Sequence, residues 1–259
     1  MMRAAASLLV LVGLIALSFT ISAGEVESGS RERTFVRALE RFDSAKTPED
    51  YRQAAAMFES LLEGDYQNGA VYYNLGNAYM RAGDFGKAIA AYRKAKPFRP
   101  RDPYLDANLR QALMLAPGKL PEAPAPWWKP VFFWSSWMSF PEKFTAVLAG
   151  FCCGAALAAL GLLLRRKRLY WVSGVAVMIA MILSADAALA YADVYHSRRA
   201  VVVHETIARK GIGKQWEPAF DQALKDGAEF TILERNGDWV LGHFEGIGDG
   251  WLPRESIAE

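Results

Sequence analysis

Two apolar stretches, Phe144–Leu164 and Leu169–Tyr191, constrain this chain more than any other feature. Each is long enough to span a bilayer, since about 20 apolar residues cross a hydrocarbon core of about 30 Å. The four residues between them, 165–168, are all Arg or Lys. Because such cations collect on the cytoplasmic side of membranes, they predict a transmembrane hairpin, 144–164 and 169–191, with a cytoplasmic loop. Both flanking regions are then expected on the extracytoplasmic side.

The amino terminus has the layout of a secretory signal. Arg3 precedes an apolar run, Ala4–Ile21, and the small residues Ser22-Ala23-Gly24 follow it. This arrangement predicts a signal peptide over 1–24 that is cleaved at its carboxyl end. The run is long for the apolar core of a signal peptide, so the alternative is an uncleaved membrane anchor. In either case the next segment is exported.

The remaining sequence divides into two soluble regions, 25–116 and 197–259, each near the lower size limit for an independent core. The formal net charge of +2 gives no case for a nucleic-acid partner. The only cysteines, Cys152 and Cys153, are neighbours inside the first apolar stretch. The exported regions therefore carry no disulfide framework, and the two thiols are expected to be small packing residues of a helix.

The first soluble region contains a repeat of 34 residues. Segments 50–58 and 84–92 share acidic, alanine and aromatic positions at this offset, which also carries Asn74-Leu75 onto Asn108-Leu109. A period of 34 with helical spacing indicates stacked helix pairs. The clearest unit, 69–102, has Gly83 in its turn, and Asp84 is expected to cap the second helix.

The diagnostic positions of this unit resemble the tetratricopeptide repeat (TPR) at nearly every point. The preceding unit fits only in its second helix, and a further helix is expected over 103–115. We predict two and a half repeats that form a short α-solenoid over 25–116. The residues that carry the resemblance are Tyr72, Leu75, Gly76, Tyr79, Ala88, Tyr92, Ala95 and Pro100.

Arrays of such helix pairs leave a concave groove lined by their first helices. Asn74 and Asn77 fall on a first helix, away from its packing face. The resemblance implies that such asparagines hydrogen-bond an extended peptide. The alternative is that they are only solvated or cap neighbouring groups.

A segment rich in proline and tryptophan, 117–143, joins the first region to the hairpin, and its prolines predict an extended linker. Its aromatic residues form either a belt at the outer membrane interface or a docking surface for another membrane protein. These aromatic residues are Trp127, Trp128, Phe132, Phe133, Trp134, Trp137 and Phe140.

Small residues recur every four positions in both apolar stretches, and this spacing predicts that the hairpin packs on itself. Self-association of two copies is the competing interpretation. The stripes are Gly150, Gly154 and Ala158 in the first stretch and Ala176, Ala180, Ser184 and Ala188 in the second.

Asp186 is the lone charge within either stretch. It lies about 200° around the helix from Ser184, so we expect it to face away from the small-residue stripe. Either the carboxylate reaches interfacial water, or the span ends before this residue, or the carboxylate makes a polar contact. In the last case its partner is another membrane subunit or Lys143.

The last region, 197–259, is predicted to be small and all-β. Strands are expected over 200–203, 229–235 and 238–244, with a tight hairpin at Asn236-Gly237. The glycines at 246, 248 and 250 are expected to break the chain before Trp251.

This region resembles the bacterial SH3-like domain, which implies a small β-barrel. Its loop over 206–214 departs from the family pattern, so ligand binding by the barrel stays open. The two tryptophans are expected in or beside the core, with an aromatic ligand groove as the alternative. The landmarks are Gly227, Phe230, Gly237, Trp239, Gly250, Trp251 and Pro253.

Nothing in the sequence assembles a catalytic site, a cofactor site or a metal site. His196, His204 and His243 are scattered, without metal-ligand spacing or a paired carboxylate, and a glycine-rich phosphate loop is absent. The sequence therefore predicts a protein that is not an enzyme.

The whole order resembles the BatE-type proteins of bacterial aerotolerance (Bat) operons: signal, TPR array, linker, two spans and SH3-like barrel. The resemblance implies a complex with von Willebrand A-domain membrane proteins and, indirectly, an AAA ATPase. We expect a multi-domain membrane protein that acts as an adaptor in the inner (cytoplasmic) membrane, with both soluble domains on the periplasmic side. The alternative function is a cell-wall module whose barrel contacts peptidoglycan.

Overall fold

The chain consists of a helical array, two long apolar helices and a carboxyl-terminal sheet. The computed structural model describes residues 29–64, 66–118, 120, 130 and 132–259, so the predicted signal peptide and much of the proline-rich linker lie outside the described residues. The helices are α1 (29–44), α2 (Pro48–Ser60), α3 (Gly69–Ala82), α4 (Phe85–Ala95), α5 (Pro103–Leu115), α6 (Phe133–Trp137), α7 (Phe140–Leu164) and α8 (Lys167–Tyr195). The strands are β1 (Arg199–Val202), β2 (Glu229–Asn236), β3 (Trp239–Phe244), β4 (Gly248–Pro253) and β5 (Ile257–Ala258), with a 3₁₀ turn at Arg254–Ser256.

Helices α1 to α5 form two helix pairs and a final single helix, in the order that the repeat predicts. Their apolar faces meet in one core, in which Phe58, Ile89, Tyr92 and Leu105 are fully buried. Gly76 lies against the ring of Tyr92, so a side chain at this position would overlap the ring. Small residues are therefore needed where the helices of a pair approach each other most closely.

The predicted cap of α4 is wrong. Thr47 caps α2 through a capping box with Asp50, but Asp84 makes no side-chain cap at α4. Its carboxylate instead accepts two hydrogen bonds from Arg52 of α2, each 2.9 Å long. A guanidinium that binds both oxygens at once leaves neither free for the helix amides.

Helices α7 and α8 are long and apolar enough to cross a membrane, with mean hydropathy of 2.4 and 2.0. They pack as an antiparallel pair whose seam includes Gly150 against Ala180 and a 2.8 Å hydrogen bond from Ser173 Oγ to the carbonyl of Gly154. The stripe predicted on α8 is only partly correct, because Ala188 is exposed and Ala187 is buried in its place. Helix α7 begins four residues before the predicted span, at Phe140. Helix α8 begins two residues before its predicted span, at Lys167, and ends four residues after it, at Tyr195, so the second half of the predicted loop is helical.

The linker is not extended throughout. Its residues Phe133–Trp137 form the short helix α6, and α7 begins at Phe140 after a capping box formed by Ser139 and Glu142. Within the described residues, the part of the linker that precedes α7 is therefore partly helical.

The carboxyl-terminal region is a curled antiparallel sheet with strand order β4-β3-β2-β1-β5. Its core holds Ile232, Val240, Phe244 and Leu252, and Gly237 turns the β2–β3 hairpin at a φ of 56°. The prediction of a chain break before Trp251 is wrong, because 248–253 form strand β4. Glycine is needed there because a Cβ at Gly250 would lie 2.8 Å from that of Ala208.

The sheet docks on helix α4. Val201 of β1 is buried in the core of the helical array, and Glu229 of β2 binds Arg93 through two hydrogen bonds of 2.7 and 2.8 Å. Gly227 adopts a φ of 90° and lies against Ala116, where a Cβ would clash. The two soluble regions are therefore in direct contact, on the side of the array formed by second helices.

Candidate protein-interaction groove

First helices of successive repeats meet at a polar cluster on α3 and α5. Asn77 Oδ1 accepts hydrogen bonds from the Tyr92 hydroxyl (2.8 Å) and from Asn108 Nδ2 (2.9 Å). Asn108 Nδ2 also reaches the Tyr73 hydroxyl at 3.3 Å. We call these four residues, Tyr73, Asn77, Tyr92 and Asn108, the groove cluster. Three of its members lie on the first helices α3 and α5, which line the concave side of such arrays, and the buried Tyr92 reaches them from α4.

The two asparagines predicted for peptide contact differ in their surroundings. Asn74 donates a 3.0 Å hydrogen bond from Nδ2 to the carbonyl of Ala70, one turn earlier in the same helix. Asn77 instead joins two repeats through its bonds to α4 and α5. The structure therefore brings Asn77 and Asn108 together and leaves Asn74 outside the cluster.

The groove cluster retains polar atoms for a ligand. Within the part of the chain that the structure describes, Asn77 Nδ2 and Asn108 Oδ1 have no hydrogen-bond partner. An amide donor beside an amide acceptor matches the carbonyl and N–H of an extended peptide. The repeat draws attention to Asn108, because Asn74-Leu75 aligns with Asn108-Leu109 at an offset of 34 residues. It does not show that the hydrogen-bond partner of Asn108 is Asn77.

Tyr92 fixes the orientation of the Asn77 amide. Burial raises the pKa of its phenol well above the usual range, so the hydroxyl stays neutral and acts as a donor. Because this donor and Asn108 both point at the carbonyl oxygen of Asn77, the amide nitrogen is the end left for a ligand.

The loop between α4 and α5 connects the groove to the long helices. Arg99 lies over the ring of Tyr73, 4.7 Å from its centre, at the edge of the groove cluster. In the same loop, the Pro97 carbonyl accepts a 2.7 Å hydrogen bond from the Phe140 amide, and Arg101 binds Glu142 at 2.5 Å. The array is thus fixed to the beginning of α7 at the end of the hairpin opposite the basic loop.

Contrary to the prediction, Asp186 faces the neighbouring helix α7. Its Oδ2 lies 3.0 Å from Nζ of Lys143 in α7, and its Oδ1 accepts a 2.5 Å hydrogen bond from Ser135 in α6. The side chains of Lys143 and Asp186 are only 7% and 15% exposed. Because α8 packs through Ala187 rather than Ala188, its buried face is rotated toward residue 186. The structure realises the Lys143 contact that the sequence left open.

The carboxyl-terminal region also contacts helix α4, at its amino terminus. Asp226 accepts hydrogen bonds on both carboxylate oxygens from the Gly86 amide, each 3.1 Å long, and its carbonyl accepts one of 2.9 Å from Gly118. Burial raises the pKa of this carboxyl group. A side chain 140 positions away therefore occupies the amino terminus of α4, and sequence analysis did not identify it.

The residues that carry the predicted SH3-like resemblance lie in packing and turn positions of the sheet. Phe230 is buried, Trp239 and Trp251 are half-buried, and Trp239 pairs with Pro253 across β3 and β4. Trp216, which the sequence analysis did not single out, is 51% exposed, and its ring packs on Gly211.

Among the described residues, no group of three or more His, Cys, Asp and Glu side chains could hold a metal ion. The prediction that no histidine is paired with a carboxylate is wrong for His243, whose Nδ1 lies 2.5 Å from Asp249 Oδ1 on the exposed surface of the sheet.

In a comparison with protein families, residues 38–103 match the tetratricopeptide repeat. The match covers about a quarter of the chain and includes α2, α3 and α4, but not the long helices or the sheet. Repeats of this family are protein-interaction modules without catalytic activity. A search of curated proteins finds no significant match.

Proposed function

We propose that this protein is a non-enzymatic adaptor, anchored in the inner membrane by α7 and α8, that holds a protein partner in the TPR groove. The observation that carries the proposal is the pairing of Asn77 with Asn108 across two repeats, with one amide donor and one amide acceptor directed away from their common bonds. Such a pair can bind the backbone of an extended peptide without regard to its side chains.

The membrane arrangement is supported by the length and hydropathy of the two helices and by the charge between them. Residues 165–168 are exposed cations without an ion-pair partner among the described residues. On the positive-inside rule they lie in the cytoplasm, and the array and the sheet lie together on the extracytoplasmic side.

The proposed partner class follows from the resemblance of the whole domain order to BatE-type proteins. On that basis the groove binds a von Willebrand A-domain membrane protein, and an AAA ATPase acts on the complex from the cytoplasm. The TPR match supports a protein partner in general, and the resemblance to BatE-type proteins is the basis for proposing these particular partners.

Cross-linking in native membranes, followed by identification of the captured proteins by mass spectrometry, tests the partner. We expect Asn77→Ala and Asn108→Ala to lower the yield of the cross-linked partner about tenfold, because each removes one charge-neutral hydrogen bond and leaves its partner unpaired. Asn74→Ala is the matched control, since Asn74 bonds only within its own helix. Equal yields from all three variants would refute the groove as the binding surface.

The orientation has its own test. Single cysteines placed at exposed positions in the loop, such as Arg166→Cys, and in the sheet, such as Glu245→Cys, are labelled in intact spheroplasts with a reagent that does not cross membranes. We expect labelling only in the sheet, after Cys152 and Cys153 are replaced by Ala. Labelling of the loop instead would reverse the topology.

A second candidate function is contact with the cell wall through the sheet, and the exposed ring of Trp216 favours it. An aromatic ring is a suitable surface for a sugar or peptide stem. Pull-down of the full-length protein with purified peptidoglycan, with and without Trp216→Ala, distinguishes this function from the adaptor, which does not require Trp216.

A further inference from the structure

Helix α8 carries an open groove just below the basic loop. Tyr170, Trp171, Gly174, Val175 and Met178 line a space of about 420 Å³ on its outward surface. Gly174 leaves the gap, because nothing lies within 4 Å of where its side chain would be. Trp171 is 80% exposed and Met178 is 56% exposed, so no described residue covers the groove.

The same helix face begins with a cation. Lys167 is the first residue of α8, and Trp171, Gly174 and Met178 follow it at intervals of four, three and four residues. This spacing places all four on one side of an α-helix. A positively charged group therefore stands directly above an apolar channel that runs down the helix.

The cations above the groove have no ion-pair partner among the residues that the structure describes. Residues 165–168 are exposed, and no acidic residue occurs in the sequence between Glu142 and Asp186. A ligand that complements this arrangement has an anionic head and an apolar tail. Aromatic rings at the level of the head fit the interfacial position that tryptophan and tyrosine favour.

We propose that this groove is a binding site for an anionic phospholipid, with the phosphate held by Lys167 and its basic neighbours and one acyl chain lying along Trp171, Gly174 and Met178. The proposal rests on the proposed membrane insertion of α7 and α8, but not on a TPR partner. It assigns a role to the basic loop beyond fixing the orientation of the hairpin, since a bound lipid would hold α8 at one depth in the inner leaflet.

The test uses the full-length protein in neutral detergent and native mass spectrometry. The probes are phosphatidylglycerol and phosphatidylcholine with identical acyl chains. We expect preferential retention of phosphatidylglycerol, with an affinity decrease of about fivefold for each cation removed by Lys167→Gln or Arg168→Gln. Equal retention of the two lipids by the unmodified protein would overturn the proposal.

Two further variants separate the groove from charge alone. Gly174→Leu fills the channel without altering any charge, and we expect it to lower phosphatidylglycerol retention as much as one cation does. Ala185→Leu, an exposed position near the other end of α8, is its control and should retain the lipid. If Gly174→Leu binds like the unmodified protein, the apolar groove is not part of the site.

The charge variants have a control at the opposite end of the hairpin. Arg198→Gln and Arg199→Gln, made singly, each remove one cation from an exposed position beyond α8, and we expect unchanged retention. Loss of lipid binding in this control would show that net charge, rather than the groove, selects the lipid. Because the assay contains no second protein and no membrane potential, failure here leaves the cross-linking and topology tests of the adaptor unaffected.

Discussion

Helices α2 and α4 are equivalent second helices of successive repeats, but their first turns are stabilised from different places. Thr47 and Asp50 cap α2 through groups within three residues of each other, and Arg41 of α1 adds a 2.5 Å hydrogen bond to Asp50. The start of α4 receives its side-chain acceptor from Asp226, 140 residues later.

The difference shows that repeats with similar sequences need not be equally independent. Asp50 and Asp84 occupy matching positions at an offset of 34 residues, but only Asp50 serves its own helix. Asp84 binds Arg52 and so joins the two repeats to each other. The first repeat is closed by local contacts, whereas the second relies on the carboxyl-terminal sheet.

The largest expected effect comes from removing the sheet. A chain that ends at His196 loses the burial of Val201 and the bonds made by Asp226 and Glu229. We expect α4 to open more easily by about 3 kcal/mol, because one aliphatic contact and the charged contacts of Asp226 with Gly86 and of Glu229 with Arg93 are lost.

Amide hydrogen exchange of the two helices in the same sample measures this effect. Exchange in α2 should stay unchanged and serve as the internal reference. Equal acceleration in both helices, or in neither, would break the distinction between a self-contained repeat and a dependent one.

A smaller effect is expected when each helix loses its own cap. Thr47→Ala should destabilise the start of α2, and Asp226→Ala the start of α4, each by about 1 kcal/mol. Hydrogen exchange of the first-turn amides measures both losses of stability. Thr47→Ala should accelerate exchange only in α2, and Asp226→Ala only in α4.

Asp221→Ala is the control for the second cap, because Asp221 is exposed and precedes Asp226 by five residues. If Asp226→Ala accelerates exchange in α2 as well, the two repeats open as one unit, and the caps would be coupled rather than independent.

The smallest effect is a difference in acid sensitivity. The Thr47 hydroxyl and Arg41 lower the pKa of Asp50 from its ordinary value of 3.8, so its contribution to stability is present above that value and is lost as the pH falls below it. For Asp226 the sign is opposite. Burial raises its pKa above 3.8, so protonation on acidification relieves a cost of the buried charge, and Asp84 nearby adds to that cost.

As the pH falls below about 4, the start of α2 should therefore lose protection before the start of α4. Amide exchange corrected for the intrinsic effect of pH measures the order. Asp50→Asn should abolish the difference in acid sensitivity between the two helices. Faster exchange at the start of α4 than at the start of α2 at low pH would contradict the sign derived for Asp226.

The groove and the hairpin differ in how far the sequence predicted them. The repeat located α3 and α5 and thus the side of the array where Asn77 and Asn108 lie, because helical periodicity depends on residues three and four positions apart. It did not distinguish Asn74 from Asn77, which are separated by less than one turn. The hairpin was predicted from length and hydropathy, but the rotation of α8 that brings Asp186 to Lys143 was not, since several small residues could have formed its seam.

The sequence by itself determined the helix pairs, the two long apolar helices and the tight turn at Gly237, because each depends on neighbours within a few residues. The tertiary structure alone decided that Asp226 occupies the amino terminus of α4, that Glu229 binds Arg93 and that the sheet covers one side of the array. These contacts join residues more than 130 positions apart. Their formation depends on how complete surfaces pack. A local pattern of residues therefore cannot predict which distant segment will pack against it.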